Sequence, residues 1–435
     1  MMKLLGTLLL LSMLSLAHGG RVLVLLDSLS IKESHVSFLR DLSDLGLDLT
    51  VKTSEDPSIE VKKYGEFLYE HILILSPNVE EFGGGLSPEG LAEFIDAGGD
   101  VFVAGVESSN VLRELASEVG FEVDEEGTTV LDHSSYDSVK DEEGLHAVII
   151  AEPKKHLQKA IVGQSPLLKE DKPLLFRGAG ILADENPLVL PILRASSYAY
   201  SHNPLKPISD YPHAVGKNTL LIAGLQARNN ARVVFSASLD FFSNDYFESS
   251  VHYKGAESPS GNRELSKALL SWCFKQTGLL RTSDLRHHLV GATQSPPFYT
   301  IMEEVEYSIR IEEFKGGKWV PYTATDVRLE FVRIDPFVRT NLIPDGKGKF
   351  TARFKIPDVY GVYQFKIDYV RIGISRLYST TQVSVRPLRH DQYERFILSA
   401  YPYYASAFSM MFGVFVSAFV FLHHKEPASP KSKAE

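Results

Sequence analysis

From Phe396 to Leu422 the chain reads FILSAYPYYASAFSMMFGVFVSAFVFL, twenty-seven residues without one charged side chain. As a helix rising about 1.5 Å per residue this run reaches about 40 Å, enough to cross a hydrocarbon core of about 30 Å with some tilt. Only thirteen residues follow it. The run therefore predicts a large domain on one side of a membrane, fastened there by a C-terminal transmembrane helix over 397–422. No ionisable group interrupts the span, which argues against an ion or proton path through it. Tyr401, Tyr403 and Tyr404 stand near its N-terminal end, where an interfacial aromatic belt would lie.

A second apolar run opens the chain. Lys3 precedes LLGTLLLLSMLSLA, and small residues follow at Ala17, Gly19 and Gly20. A charged n-region, a short apolar stretch and a small-residue end predict a cleavable signal peptide over 1–19. Arg386, Arg389 and Arg395 before the span and Lys425, Lys431 and Lys433 after it leave the orientation open on charge alone. The signal peptide decides it, with the N-terminal region lumenal and 423–435 a cytosolic tail. That tail ends Lys431-Ser432-Lys433-Ala434-Glu435, which resembles a dilysine signal returning type I proteins to the endoplasmic reticulum, a receptor-read address.

Cys273 is the only cysteine, so the lumenal region holds itself by its core without an internal disulfide. No asparagine begins an Asn-x-Ser/Thr acceptor site. Hydrophobic residues make up 44% of the chain, as expected of a packed globular region, and a net charge of −10 disfavours nucleic acid as a partner.

Arg21-Val-Leu-Val-Leu-Leu-Asp27 is a continuous apolar run closed by an acid, the pattern of a parallel strand buried on both faces. Helical periodicity follows over Ser34–Leu45, another buried strand over His71–Leu75, a helix from Pro88 to Ile95 ended by Gly98-Gly99, a strand from Val101 to Ala104 and a helix from Asn110 to Val119. Thr219–Gln226 and Arg232–Ser238 flank a hairpin turn, and a helix spans Glu264–Gln276. Alternating strands and helices predict a doubly wound α/β domain over 20–280, of the amidotransferase-like, flavodoxin-like class. Beyond Gly278 the apolar period becomes two, in Val305–Ile311, Phe350–Ile356 and Tyr363–Tyr369, which predicts a β-sandwich over 281–386 and then a polar stem over 387–396.

The residues that would carry chemistry are largely missing. Amidotransferase-like domains place a cysteine on a sharp turn after a strand, and the equivalent turn here reads Val103-Ala104-Gly105-Val106-Glu107-Ser108. Cys273 lies instead in a predicted helix beside Trp272 and Phe274, where a buried structural thiol is expected. There is no G-x-S-x-G elbow and no phosphate-binding G-x-x-x-x-G-K-S/T loop, and Gly178-Ala179-Gly180-Ile181-Leu182-Ala183 meets Pro187 where a dinucleotide-binding helix should run. No metal-ligand spacing occurs, and adjacent pairs such as His287-His288 and His423-His424 present no chelating face. Asp27 and Asp240 remain, at the ends of predicted strands where open α/β sheets bind ligands, although loop capping is the commoner role. We therefore expect no catalytic, cofactor-binding or metal-binding residues. The span carries one pattern: Ser406, Ser409, Gly413 and Ser417 recur at spacings of three and four, a narrow small-residue face that lets another helix approach closely.

Longer strings point to a family. VYGVYQFKIDYVRIG (359–373) and RLYSTTQVSVRPLRHDQYERFILSAYPYYASAFSMMFG (376–413), with RVLVLLD (21–27) and FSASLDFFSND (235–245), resemble the family of 48 kDa subunits of the eukaryotic oligosaccharyltransferase. The resemblance implies a non-catalytic, type I subunit of the complex that transfers oligosaccharide from dolichyl diphosphate to asparagine of nascent chains. It implies catalysis on a separate polytopic subunit, other subunits as partners, room for indirect contact with the lipid-linked sugar or acceptor chain, and an address in the endoplasmic reticulum membrane. It carries the retrieval signal onto Lys431 and Lys433. A membrane-tethered lumenal hydrolase or amidotransferase relative and a glycan-binding receptor are the alternatives.

Overall fold

The computed structural model describes residues 20–425 except 107, 163–165, 184–185, 209–210, 254 and 396. The expected signal peptide and the tail lysines Lys431 and Lys433 lie outside the described residues.

Nine strands form one mixed sheet: β1 (Arg21–Leu26), β2 (Asp48–Thr53), β3 (His71–Leu75), β4 (Asp100–Ala104), β5 (Phe121–Val123), β6 (Ile181–Ala183), β7 (Val189–Arg194), β8 (Leu220–Gln226) and β9 (Arg232–Ser236). Their order is β2-β1-β3-β4-β9-β8-β6-β5, with β7 also paired to β8. The first five in that order are mutually parallel. The hairpin at 227–231 then turns β8 antiparallel to β9. β3, β4 and β9 are buried along their whole length, as continuous apolar runs in a covered sheet must be.

Helices α1 (Leu29–Ser34), α2 (Val36–Ser43), α3 (Pro88–Asp96), α4 (Asn110–Glu118) and α5 (Asn262–Cys273) cover the sheet. Ser87 and Ser109 cap α3 and α4 by accepting from the amides of Gly90 and Leu112. The helix expected over Ser34–Leu45 is interrupted at His35, whose φ of −118° and ψ of 27° leave the helical region. The buried His35 ring reaches the carbonyls of Ile31 and Leu239, which explains the break.

The chain then builds two five-stranded sheets. One contains β10 (Thr277–Leu289), β12 (Glu304–Lys315), β13 (Lys318–Pro321), β16 (Ile343–Pro344) and β17 (Lys349–Lys355); the other contains β11 (Tyr299–Thr300), β14 (Arg328–Val332), β15 (Pro336–Asn341), β18 (Gly361–Arg371) and β19 (Ile374–Arg386). Alternate residues point inward: Val305, Tyr307, Ile309 and Ile311 from β12 meet Tyr363, Phe365, Ile367 and Tyr369 from β18 in one core. Aromatic stacking tightens it, with the rings of Phe331 and Tyr363 4.5 Å apart. β10 runs unbroken across position 280. The helix α6 (Tyr401–His423) ends the described chain, preceded by a 3-10 turn at Leu398–Ala400.

Candidate functional site

The expected strand-end acids occupy separate surroundings. Asp27 follows β1 and accepts a hydrogen bond from Asn78 Nδ2 at 2.9 Å. Asp240 follows β9, opens a 3-10 turn, and borders a recess with Lys140, Arg177 and Tyr246. β3 and β4 lie between β1 and β9, and at about 4.8 Å per strand this sets the two strand ends about 14 Å apart. They do not form a carboxylate pair. Beyond β4, Ser109 donates to Val79 O at 2.6 Å. Cys273 is fully buried, and burial pushes its thiol well above the ordinary range, as a structural cysteine requires.

The most organised polar constellation lies where the α/β region meets the sandwich. Arg232 is wholly buried in β9. Its guanidinium donates to Trp272 O at 2.6 Å, Thr277 O at 2.8 Å and Gly278 O at 2.8 Å, and lies 5.2 Å from the Trp272 ring centre. Burial pushes its pKa down to about 10, which leaves it cationic at neutral pH. Asp100, also fully buried, accepts from the Arg232 amide at 2.9 Å and pairs with Lys275 Nζ at 2.9 Å. His71 Nδ1 sits 2.9 Å from the same carboxylate without hydrogen-bond alignment.

Around this clamp the β18–β19 turn is locked in place. Trp272 Nε1 donates to Gly373 O at 3.1 Å, Asn230 exchanges hydrogen bonds with the backbone of Arg376, Gln226 donates to Ile374 O, and the Leu280 amide donates to Ser375 Oγ. Gly278 and Gly373 both have positive φ, 69° and 82°. A Cβ on Gly278 would come within 2.4 Å of Gly373 O, so glycine alone lets the two strands meet here.

Beside the joint, β7 and the β8–β9 turn face the outer surface of β14 and β18 across a groove of about 670 Å³. Asp326 and Asp368 in its wall are paired with Arg371 and Arg376.

The small-residue pattern lies on α6, whose described side chains are exposed apart from the half-buried Tyr404. At about 100° per residue the four positions share an arc of about 80°. Ser406 and Ser409 donate to Tyr403 O and Ser406 O within their own helix, both at 2.9 Å, and a Cβ on Gly413 would meet nothing within 4 Å. At Ser406, Ser409 and Gly413 this face offers close approach rather than free hydroxyl donors. Among the described residues α6, with its preceding turn, is the one helix long and apolar enough to cross a membrane.

A family model described as OST48, N-terminal domain, matches residues 13–276, and one described as OST48 middle domain matches 287–425. The chain belongs to the OST48 family. Curated relatives named dolichyl-diphosphooligosaccharide–protein glycosyltransferase 48 kDa subunit include one from Danio rerio, 55% identical over 94% of this chain and 92% of its own length. Those from Drosophila melanogaster and Caenorhabditis elegans are 53% and 45% identical, over 98% and 94% of this chain and 98% and 92% of their own lengths. Among solved structures, a ThuA-like protein from Parabacteroides merdae aligns with 59% of this chain and 90% of its own at a TM-score of 0.31 and 11% identity. The carbohydrate deacetylase Agd3 aligns with 65% of this chain and 35% of its own at 0.32 and 9%. Likenesses at this level support no conclusion about fold or chemistry.

The two OST48 matches leave 277–286 between them, and the carbonyls held by Arg232 at Thr277 and Gly278 fall in that interval. In the sequence Arg232 stands only as one position of a predicted strand. The available signal is a lone arginine inside Ala231-Arg232-Val233-Val234-Phe235, because a charge in a fully apolar run needs a buried partner. Nothing local in the sequence points to carbonyls forty or more positions away as that partner.

Proposed function

We propose that this chain is a non-catalytic subunit of the oligosaccharyltransferase complex, acting in protein N-glycosylation by supporting assembly and stability of the transferase. The carrying observation is membership of the OST48 family, with relatives named as the 48 kDa subunit matched over more than nine-tenths of their length. Three features support a scaffolding role. The strand-end acids are apart, the turn after β4 offers no cysteine, and the most organised polar groups are spent on a joint between two cores.

The finer reading has four parts. The α/β region is of the flavodoxin-like, amidotransferase-like class, supported by five parallel strands in the order β2-β1-β3-β4-β9. The chain is a type I protein of the endoplasmic reticulum membrane, its 20–396 region lumenal, with Lys431 and Lys433 as the retrieval signal. It is organised as an α/β domain (20–280), a sandwich (281–386), a stem (387–396) and a span (397–422). Ser406, Ser409, Gly413 and Ser417 pack against helices of sibling subunits, the polytopic catalytic subunit among the partners.

Depletion of the protein in cells tests the reading. Hypoglycosylation of reporter glycoproteins with loss of sibling subunits is expected, and normal glycosylation with an intact complex would refute it.

A further inference from the structure

The sandwich has two ends, and only one is occupied by the joint. At the other, β12 begins and β17 ends, with Glu304 opposite Lys355, while β18 begins and β19 ends, with Gly361 opposite Val385. The chain leaves from this end through Arg386 and reaches the turn at Leu398 that opens the membrane helix. Fully extended, the intervening residues would cover at most about 40 Å. A turn at Arg389–Gln392, closed by the Gln392 amide on Arg389 O at 3.0 Å, makes the connection shorter. Connectivity thus ties this end, and not the joint, directly to the membrane helix.

The loops and strand ends here carry large apolar side chains into solvent. Ile334 is 83% exposed, Tyr360 63%, Val362 50%, and Met302 and Phe337 46% each. Single exposed apolar residues are ordinary, and a group of them at one end of a domain marks a candidate contact surface. They are neighbours through several contacts. A Cβ on Gly361 would lie 3.0 Å from Arg333 Nε, which puts the Ile334 turn against Tyr360. The Met302 amide donates to Ile356 O at 3.2 Å, and the Phe337 ring centre is 5.6 Å from that of Tyr363. Met302 is held at φ 66°, a left-handed conformation that a side chain with a Cβ rarely adopts. Tyr363 Oη donates to Val359 O at 2.8 Å, fixing the loop that displays Tyr360.

We propose that this end of the sandwich rests in the lipid interface, with Ile334, Tyr360 and Val362 at the boundary between headgroups and acyl chains. The proposal rests on the membrane reading of α6 and on no assignment of catalysis. Arg333 and Arg386 at this end are offset by Asp335 and Asp358, so the contact is made by apolar side chains and does not need anionic lipid. It gives the span a second point of attachment and fixes the tilt of the rigid extramembrane region.

Labelling single introduced cysteines in the full chain, and in the complex purified around it, tests this. The buried native Cys273 leaves introduced cysteines selectively reactive. An environment-sensitive fluorophore is placed by Ile334→Cys, Tyr360→Cys, Lys318→Cys at the joint end, or Phe415→Cys in the span, in nanodiscs of neutral phosphatidylcholine carrying a shallow nitroxide-labelled lipid. Fluorophores at 334 and 360 should be quenched at least about twofold more than at 318. Equal quenching at 334, 360 and 318 with Phe415→Cys quenched would overturn the proposal. So would fluorophores at 334 and 360 that are shielded from water in the complex yet untouched by the lipid quencher, because a sibling protein would then cover them. An unquenched Phe415→Cys would instead remove the membrane reading of α6, and the proposal with it.

Discussion

Three histidines sit where their surroundings disfavour charge. Burial holds the imidazoles of His35, His156 and His287 below their ordinary pKa, and His287 has the further repulsion of neighbouring His288. A base whose folded pKa lies below its unfolded value near 6.5 binds more protons when unfolded, so stability rises with pH through that window and is lost on acidification. The paired acids act lower on the scale. Arg376 holds Asp368 below the usual carboxylate range, and that contribution is lost only as pH falls through its own depressed pKa. The melting temperature should therefore drop between pH 7.5 and pH 5, and His287→Phe, which keeps a ring against Phe365, should make the drop shallower. A melting temperature that holds or rises on acidification would contradict this.

At the scale of elements, α6 differs from the helices that cover the sheet. Each of α2 to α5 buries one apolar face, whereas α6 is apolar all round and, among the described residues, buries none of its side chains. In the proposed reading its small residues act on a partner. Because Ser406 and Ser409 already spend their protons on their own helix, the proposed packing would rest on close approach of backbones, with Gly413 as the closest point. Gly413→Leu should leave membrane insertion intact, since leucine partitions well into lipid. It should lower recovery of sibling subunits in mild-detergent purification about fivefold, the equivalent of about 1 kcal/mol of helix packing. Undiminished recovery would show that another part of the chain makes the contact.

For the molecule as a whole, the proposed membrane contact makes the sandwich a spacer joined to the α/β region through the Arg232 clamp. Thirteen-residue β19 runs from the joint to the stem, about 40 Å at about 3.3 Å per residue. Replacing Arg232 by methionine keeps the volume but leaves the carbonyls of Trp272, Thr277 and Gly278 without their donor, at a cost of about 2–4 kcal/mol. Arg232→Met should also speed hydrogen exchange in 277–280 and 371–376 and separate the melting of the two cores; unchanged exchange there would show that the joint does not depend on the clamp. The sequence alone determined what periodicity and hydropathy encode locally: the charge-free span, the buried runs of β1 and β3, the period-two strands of the sandwich and the hairpin between β8 and β9. That no cysteine stands in the turn after β4 is likewise a matter of which residue occupies one turn. Only the tertiary structure decided that Asp27 and Asp240 stand apart, that Arg232 reaches carbonyls at 272, 277 and 278, that Gly278 and Gly373 must both be glycine, and that Ile334 and Tyr360 share one end. Those facts depend on strand order and on contacts between residues far apart in the chain, and local patterns of polarity do not record which distant backbone group a buried charge will meet.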